Sequence, residues 1–142
     1  MKLDETRAKA RSEFAHFSTR GHKSMDFFCE GIRAGYPSGA LMRTLTHRER
    51  NRVAGRVILA LTANAHYSLH RVHPGARFAA VARRLHTGRG FRVGLNTWYL
   101  AHGAVSNAVL KVRNGTIEEI GIADERLTVN RAAAARFFAT FD

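Results

Sequence analysis

The 142-residue sequence has few of the features that would stabilise a chain covalently or anchor it in a membrane. A single cysteine, Cys29, cannot form an internal disulfide, so cysteine usage neither indicates nor excludes an oxidising compartment. The sequence as given contains no stretch of about 18 apolar residues, which excludes a transmembrane helix from it. A chain of this length buries about two thirds of its unfolded surface on folding, so it needs no disulfide or metal for stability.

The N-terminal residues also lack the apolar core of a signal peptide. The opening segment, MKLDETRAKARSEF, is charged and polar instead. A cytoplasmic location is therefore the default expectation, and secretion follows if a leader has been removed. We expect residues 1–24 to form a polar lead-in that is flexible or helical, with Phe14 and Phe17 as its apolar anchors if it is helical. Residues 25–142 then form a single domain.

Acidic residues are scarce. Twenty-three Lys and Arg face eleven Asp and Glu, which gives a formal net charge of +12, and nineteen of the cations are Arg. From Gly31 to Ile117 the sequence has fourteen Arg or Lys and one acid, Glu49. Such a positive field attracts nucleic acid, other polyanions or acidic protein surfaces. A basic surface kept for solubility, or an arginine-rich genome, would produce the same composition.

Motifs of catalysis are missing. No serine lies in a nucleophile-elbow setting, and the glycines of GRGFRVG precede no helix that could make a phosphate-binding loop. Cys29 lies in an apolar context typical of an inert buried thiol. Glu118 and Glu119 are adjacent on a predicted strand, so they face opposite sides. Whether the protein is an enzyme is open, the sequence favours the answer no, and no cofactor is expected.

Three histidines, His66, His70 and His73, lie at i, i+4 and i+7 in HYSLHRVHPG. Sharing one metal ion would require this stretch to be helical, but Pro74 disfavours helical dihedral angles at His73. No carboxylate within the stretch can orient an imidazole. We therefore predict a surface histidine cluster and no metal, with a metal site at these histidines as the weaker alternative.

The order of elements predicts an α+β fold. Ser38 is placed to cap one helix, and Thr46 with Glu49 forms the capping box of another. Residues 74–86 carry an apolar stripe at helical spacing. Residues 55–64 are continuously apolar and fit either a strand or a helix, with the strand favoured.

Three strands follow that helix in the sequence. They are predicted over 91–101, 107–115 and 116–124, and the Asn114-Gly115 pair is the strongest hairpin signal. Thr128 is placed to cap a closing helix. The pattern predicts helices packed on one face of a three- or four-stranded antiparallel meander, with a C-terminal helix.

The segment from Val72 to Ile122 resembles two known groups. A VHPG opening a helix, NTWY on the next strand, and the hairpin VLKVRNGTIEEIGI resemble the SmpA/OmlA lipoproteins and the β-lactamase inhibitory protein repeat. Residues 31–128 are also similar to an actinobacterial domain of unknown function, through GIR-GYPS, GLNTWYL and IEEIGIAD. The first resemblance implies a helix pair on a sheet and a protein-binding module. It assigns structural roles to Gly75, Val81, Leu85, Trp98, Tyr99, Gly115 and Ile120.

Outward-facing basic side chains are the candidate binding site. If Phe91 and Tyr99 face the helices, Trp98 points outward among Arg and Lys, as in a stacking platform for single-stranded nucleic acid. If Gly94 introduces a bulge, that parity flips and Trp98 joins the core. We predict a binding module for an acidic protein partner, with nucleic acid or another polyanion as the alternative and an unrecognised enzyme as a further one. The predicted contacts are Arg77, Arg83, Arg84, Arg92, Trp98, Lys111 and Arg113.

Overall fold

The computed structural model describes residues 1–14, 20–22 and 24–141. Its described strands form one eight-stranded antiparallel sheet in the order β1-β2-β3-β4-β8-β7-β6-β5. The strands are β1 (Arg20–His22), β2 (Met25–Phe28), β3 (Ile32–Gly35), β4 (Leu59–Thr62), β5 (Phe91–Val93), β6 (Asn96–Ala101), β7 (Ser106–Arg113) and β8 (Thr116–Asp124). The helices are α1 (Arg7–Glu13), α2 (Gly39–Thr44), α3 (His47–Val53), α4 (Phe78–Val81) and α5 (Arg131–Ala139).

The α+β class and the C-terminal helix are confirmed. Strands β5 to β8 form the predicted meander, and β7 turns into β8 through Asn114 and Gly115, whose φ angles of 50° and 76° suit a type I′ turn. The sheet is larger than the three or four strands predicted, because β4 pairs with the free edge of β8 and β1 to β3 continue from it.

The strands that the sequence did not predict are short. β2 and β3 have four residues each and are joined by a 3-10 turn over Cys29–Gly31. Of the strand and the helix that residues 55–64 could form, the favoured strand is present. It is β4, which occupies Leu59–Thr62 between β3 and β8.

Helix caps are placed as predicted at two of three positions. The Ser38 side chain accepts a hydrogen bond from the Leu41 amide at the start of α2, and Thr46 with Glu49 forms the capping box of α3. The third prediction is wrong, because Asn130 caps α5. Thr128 is fully buried instead, and its hydroxyl donates to the Asp124 carbonyl oxygen.

Both faces of the sheet carry apolar clusters. Helices α2, α3 and α5 pack on the face that presents Leu59, Val109 and Trp98. On the other face Leu110 and Ile120 lie beneath residues 63–90, which we call the covering segment. Helix α1 covers the same second face over β2 and β3. No helix in the described part of the chain has the length and apolarity to cross a membrane.

The helix predicted over 74–86 is much shorter than expected. Only Phe78–Val81 is α-helical, because the residues before it pair with the sheet: the Gly75 amide donates to Ile117 and the Phe78 amide to Gly115. Turns follow α4 through residue 86. The predicted apolar stripe still packs as expected, with Val81 buried and Leu85 half-buried against the second face.

Candidate anion-binding surface

The structure divides the seven predicted contact residues into two groups. Four are exposed and form no ion pair with a carboxylate of the described residues, namely Arg77, Arg83, Arg84 and Arg92. The other three, Trp98, Lys111 and Arg113, lie in the sheet and have partners there. Among the predicted contacts, the cations without a described carboxylate partner therefore belong to the covering segment and to β5 beside it.

Of the two alternatives for Trp98, the structure shows the one in which it joins the core, so Trp98 is not an exposed contact as the predicted binding site had it. Gly94 and Leu95 form a two-residue turn between β5 and β6, with Gly94 at φ 55°, so 91–101 is a hairpin and not one strand. Trp98 then lies directly opposite Phe91 and shares its face. It is 5% exposed and stacks on Phe138 at 4.4 Å between ring centroids. The same turn buries Asn96.

Lys111 and Arg113 belong to a network of ion pairs with two glutamates. Lys111 Nζ lies 3.0 Å from Glu119 and 3.6 Å from Glu118, and Arg113 lies 3.7 Å from Glu118. The prediction that the two glutamates face opposite sides is therefore wrong, because a register shift between Lys111 and Val112 interrupts the alternation of side chains there. Arg33 of β3 also pairs with Glu119. These carboxylates neutralise much of the positive charge that the sheet was expected to present.

The covering segment carries the exposed positive charge of the molecule's second face. Besides the three predicted arginines it holds Arg71 and Arg89, which are exposed and likewise have no described carboxylate partner. The sequence contains no Asp or Glu between Glu49 and Glu118, so no acid lies within this segment. Its charge therefore stays available to an external anion.

Two of the basic side chains of this segment occupy a strained turn. Leu69 and Val72 exchange both backbone hydrogen bonds, and the two residues between them, His70 and Arg71, have φ angles of 50° and 62°. This geometry is that of a type I′ turn, which favours Asn-Gly because both positions need positive φ. The chain uses Asn-Gly for the same turn at 114–115, whereas here it keeps two bulky basic residues.

The turn forms one wall of a cleft of about 440 Å³. Ala101, Ala108 and Ile122 lie side by side across β6, β7 and β8, and their small or half-buried side chains form its floor. Leu69 and Leu85 complete the apolar lining. The ionisable side chains that line the cleft are all basic, namely His70, Arg71, Arg84 and His102.

Hydrogen bonds orient two of these basic groups. Arg84 Nη2 donates to the Arg71 carbonyl oxygen at 3.2 Å, which ties the guanidinium to the turn. The side-chain amide of buried Asn107 donates from Nδ2 to the Thr128 carbonyl oxygen, which can only accept. This fixes the orientation of the amide, so its Oδ1 accepts a hydrogen bond from His102 Nδ1 at 3.1 Å. The Asn107 contact therefore assigns a proton to Nδ1, so in the neutral ring Nε2 carries the lone pair and accepts hydrogen bonds.

The three histidines of the sequence motif have different surroundings. His73 donates from Nδ1 towards the carbonyl oxygens of Ala65 and Tyr67 and so braces the covering segment. His66 is exposed, and His70 lines the cleft. Within the described ranges no group of three His, Cys, Asp or Glu side chains is arranged to hold a metal ion.

A buried carboxylate that the sequence analysis missed ties α1 to the sheet. Asp26 on β2 is fully buried and accepts from Arg7 at 2.5 Å and from Arg11 at 2.8 Å. Burial alone would raise the pKa of Asp26, but the hydrogen bonds from the two guanidinium groups outweigh it and hold the pKa well below its usual range. Burial and the nearby Asp26 raise the pKa of Tyr36.

Arg71 and His102 are cleft residues that the sequence analysis did not select. The sequence contains one clue to Arg71, namely a basic pair between two apolar residues, Leu69 and Val72. The structure shows that these four residues form a turn. No local signal marks His102, because its role depends on Asn107 and on a turn from another part of the chain.

Comparison with known proteins identifies a similar fold and no family. No family model matches the chain, and no curated protein matches it. The chain is similar to a solved structure described as an extracellular protein containing a SCP domain from Bacillus anthracis. The two share 8% identity with a TM-score of 0.53, over 92% of this chain and 46% of the other. The chain therefore spans about half the length of that protein, and the likeness concerns the fold alone.

Proposed function

We propose that this protein is a binding module that docks an acidic segment of a partner protein on its covering segment. The observation that carries the proposal is the group of exposed arginines on residues 63–90 that have no described carboxylate partner. Elsewhere on the molecule, arginines at positions 7, 11, 33, 52 and 113 pair with carboxylates, and the exposed arginines without a described carboxylate partner at positions 43, 48, 131 and 136 are spread over three helices on the opposite face of the sheet. An external acidic chain would supply the missing counter-charges and find its site by electrostatic attraction.

Exposed apolar side chains beside the arginines favour a protein over a nucleic acid. Leu95 is 71% exposed at the turn after Arg92, and Val105 is 80% exposed in the loop after His102. Tyr67 is also exposed, whereas Trp98, the predicted stacking residue, is buried. Arginine interspersed with apolar and aromatic groups is the composition of protein interfaces. The resemblance to SmpA/OmlA and to the inhibitory protein repeat agrees with this proposal.

Neutralising part of this surface should weaken binding of an acidic probe. We expect the triple variant Arg77→Gln, Arg83→Gln, Arg84→Gln to bind a fluorescent oligoglutamate peptide about tenfold more weakly in low salt, measured by anisotropy. The matched control replaces Arg43, Arg48 and Arg136 by Gln. These are exposed on α2, α3 and α5, across the sheet, and remove the same number of charges.

The control should lose less than about threefold, because non-specific attraction depends on net charge while docking depends on position. Equal losses of affinity in the two variants would show that peptide binding depends on net charge alone, and would refute the proposed surface. A single-stranded oligonucleotide serves as the competing probe. If it binds more tightly than oligoglutamate, with affinity falling linearly on a log–log plot against salt, the module binds nucleic acid instead.

A further inference from the structure

A second cleft adjoins the cationic one on the same face of the sheet. It has a volume of about 370 Å³ and lies between α1 and the covering segment. Its lining is mainly apolar and includes Phe14, Ile32 and Ile120. Leu69 and Ile122 line both clefts, so the two adjoin, and we call the two clefts together the groove.

Small side chains in register explain why the groove exists. Ala60, Ile122, Ala108 and Ala101 are direct neighbours across β4, β8, β7 and β6. Three of the four are alanine, so the covering segment does not fill the space above them. From β3 to β6 the groove crosses four strand spacings, about 19 Å at 4.8 Å each.

The groove is basic at one end and apolar at the other. His70, Arg71, Arg84 and His102 line the end over β6 and β7, and no acidic side chain of the described residues lines either cleft. The floor strands β4, β8 and β7 are hydrogen-bonded to a strand on each side. Their backbone groups are therefore occupied, so the floor favours an alkyl chain over a peptide backbone that needs partners.

The strained turn is an independent reason to assign the basic end to a ligand. Non-glycine residues at positive φ cost conformational free energy and cluster at functional sites, and His70 and Arg71 both hold that conformation at the rim of the cleft. An Asn-Gly pair would fit the same turn with less strain, as at 114–115. The chain thus keeps two basic side chains at the cleft at a conformational cost.

We propose that this groove is a binding site for a long-chain carboxylate. Arg71 and Arg84 hold the carboxylate, and the alkyl chain runs past Ile122 towards Ile32. A pair of guanidinium groups, which only donate hydrogen bonds, matches the acceptor oxygens of a carboxylate. The combined space lies in the range of small-molecule sites, which are mostly apolar with a few polar groups. This assignment does not rest on the function proposed above.

Calorimetric titration of the full chain with laurate, below its critical micelle concentration, tests the site. Laurate should bind, while acetate, which lacks the chain, and dodecyltrimethylammonium, which reverses the head-group charge, should bind at least about tenfold more weakly. Comparable binding of the cationic detergent would overturn the assignment, because the basic residues would then play no part.

The double variant His70→Asn, Arg71→Gly separates binding from folding. It should lower laurate affinity about tenfold or more, while raising Tm by about 2–4 °C as the turn loses its strain. Arg43→Gln removes the same formal charge on α2 and should change neither quantity. If the double variant does not fold, Arg84→Gln tests the same loss of affinity with the turn intact.

The outcomes separate this inference from the proposed function. Unchanged laurate affinity in the double variant or in Arg84→Gln would overturn the carboxylate site. Absence of laurate binding would overturn it too, and would leave the docking surface standing if oligoglutamate still binds through Arg77, Arg83 and Arg84. Laurate binding together with arginine-independent peptide binding would support the groove and refute the docking surface.

Discussion

Replacing Trp98 by alanine is expected to lower the free energy of unfolding by about 3–5 kcal/mol. The indole is 5% exposed and stacks on Phe138, opposite Phe91 in the β5–β6 hairpin, so its removal leaves a cavity in the main core. A loss of this size is a large part of the stability of a typical domain. Urea denaturation measures it directly, through the shift of the midpoint at constant slope.

The conservative variant Trp98→Phe is the matched control. Phenylalanine keeps an aromatic ring against Phe138, and the indole Nε1 has no hydrogen-bond partner among the described residues, so the loss should be about 1.5 kcal/mol or less. Oligoglutamate affinity of the folded Trp98→Phe protein should equal that of the original. If the Trp98→Ala protein kept its urea midpoint but lost oligoglutamate binding, the tryptophan would belong to the binding surface and not to the core.

Replacing Asp26 by asparagine should destabilise the protein by about 3 kcal/mol at neutral pH. Asp26 is fully buried and is held by Arg7 and Arg11, so the change removes the counter-charge of both guanidinium groups and weakens four hydrogen bonds. Helix α1 should separate from the sheet first, because these contacts fix it over β2. Amide hydrogen exchange of residues 7–13 reports that opening.

The pH dependence of this effect has a defined sign. The pKa of Asp26 is lower in the folded protein than in the unfolded chain, where it is about 3.9, so its stabilisation is present above that value and is lost as pH falls. The difference between Asp26→Asn and the original protein should stay constant from pH 7 to about 5 and shrink below that. Asp4→Asn, an exposed site, should change stability by less than about 0.5 kcal/mol. A difference that grows on acidification would contradict the ion-pair account.

Local signals predicted the parts of the fold that depend on neighbours in sequence. The Ser38 cap, the Thr46–Glu49 capping box and the Asn114-Gly115 hairpin each involve residues at most a few positions apart, and each is present. The C-terminal helix is present as predicted, and it buries Phe137 and Phe138. These features could be read from the sequence because the hydrogen bonds that define them are local.

Features that depend on distant contacts could not be predicted in the same way. β3 pairs with β4, which comes more than twenty residues later in the chain, and β2 in turn pairs with β3. The segment before α4 pairs with β8, and this pairing overrides the helical pattern of 74–86. A turn at Gly94 and Leu95 reverses the face of every later residue on β6, since side chains alternate along a strand.

The sequence predicted the candidate site only in part, because some of its features depend on contacts between distant parts of the chain. Scarcity of acids marks the covering segment as basic, and its predicted arginines are exposed. The same reasoning failed for Lys111 and Arg113, because Glu118 follows the hairpin and folds back beside them. The cleft itself joins a turn at 70–71, Arg84 and a loop at 102–106, and the sequence pattern alone does not bring these together.

The central claim is that an acidic partner docks on residues 63–90, and backbone amide NMR during an oligoglutamate titration tests it most directly. We expect the largest shift changes in the covering segment, around Arg77, Arg83 and Arg84, and at Arg92 on the neighbouring strand. Helices α2, α3 and α5, which carry exposed arginines across the sheet, should show small changes. Changes concentrated on those helices, or none at low salt, would contradict the account.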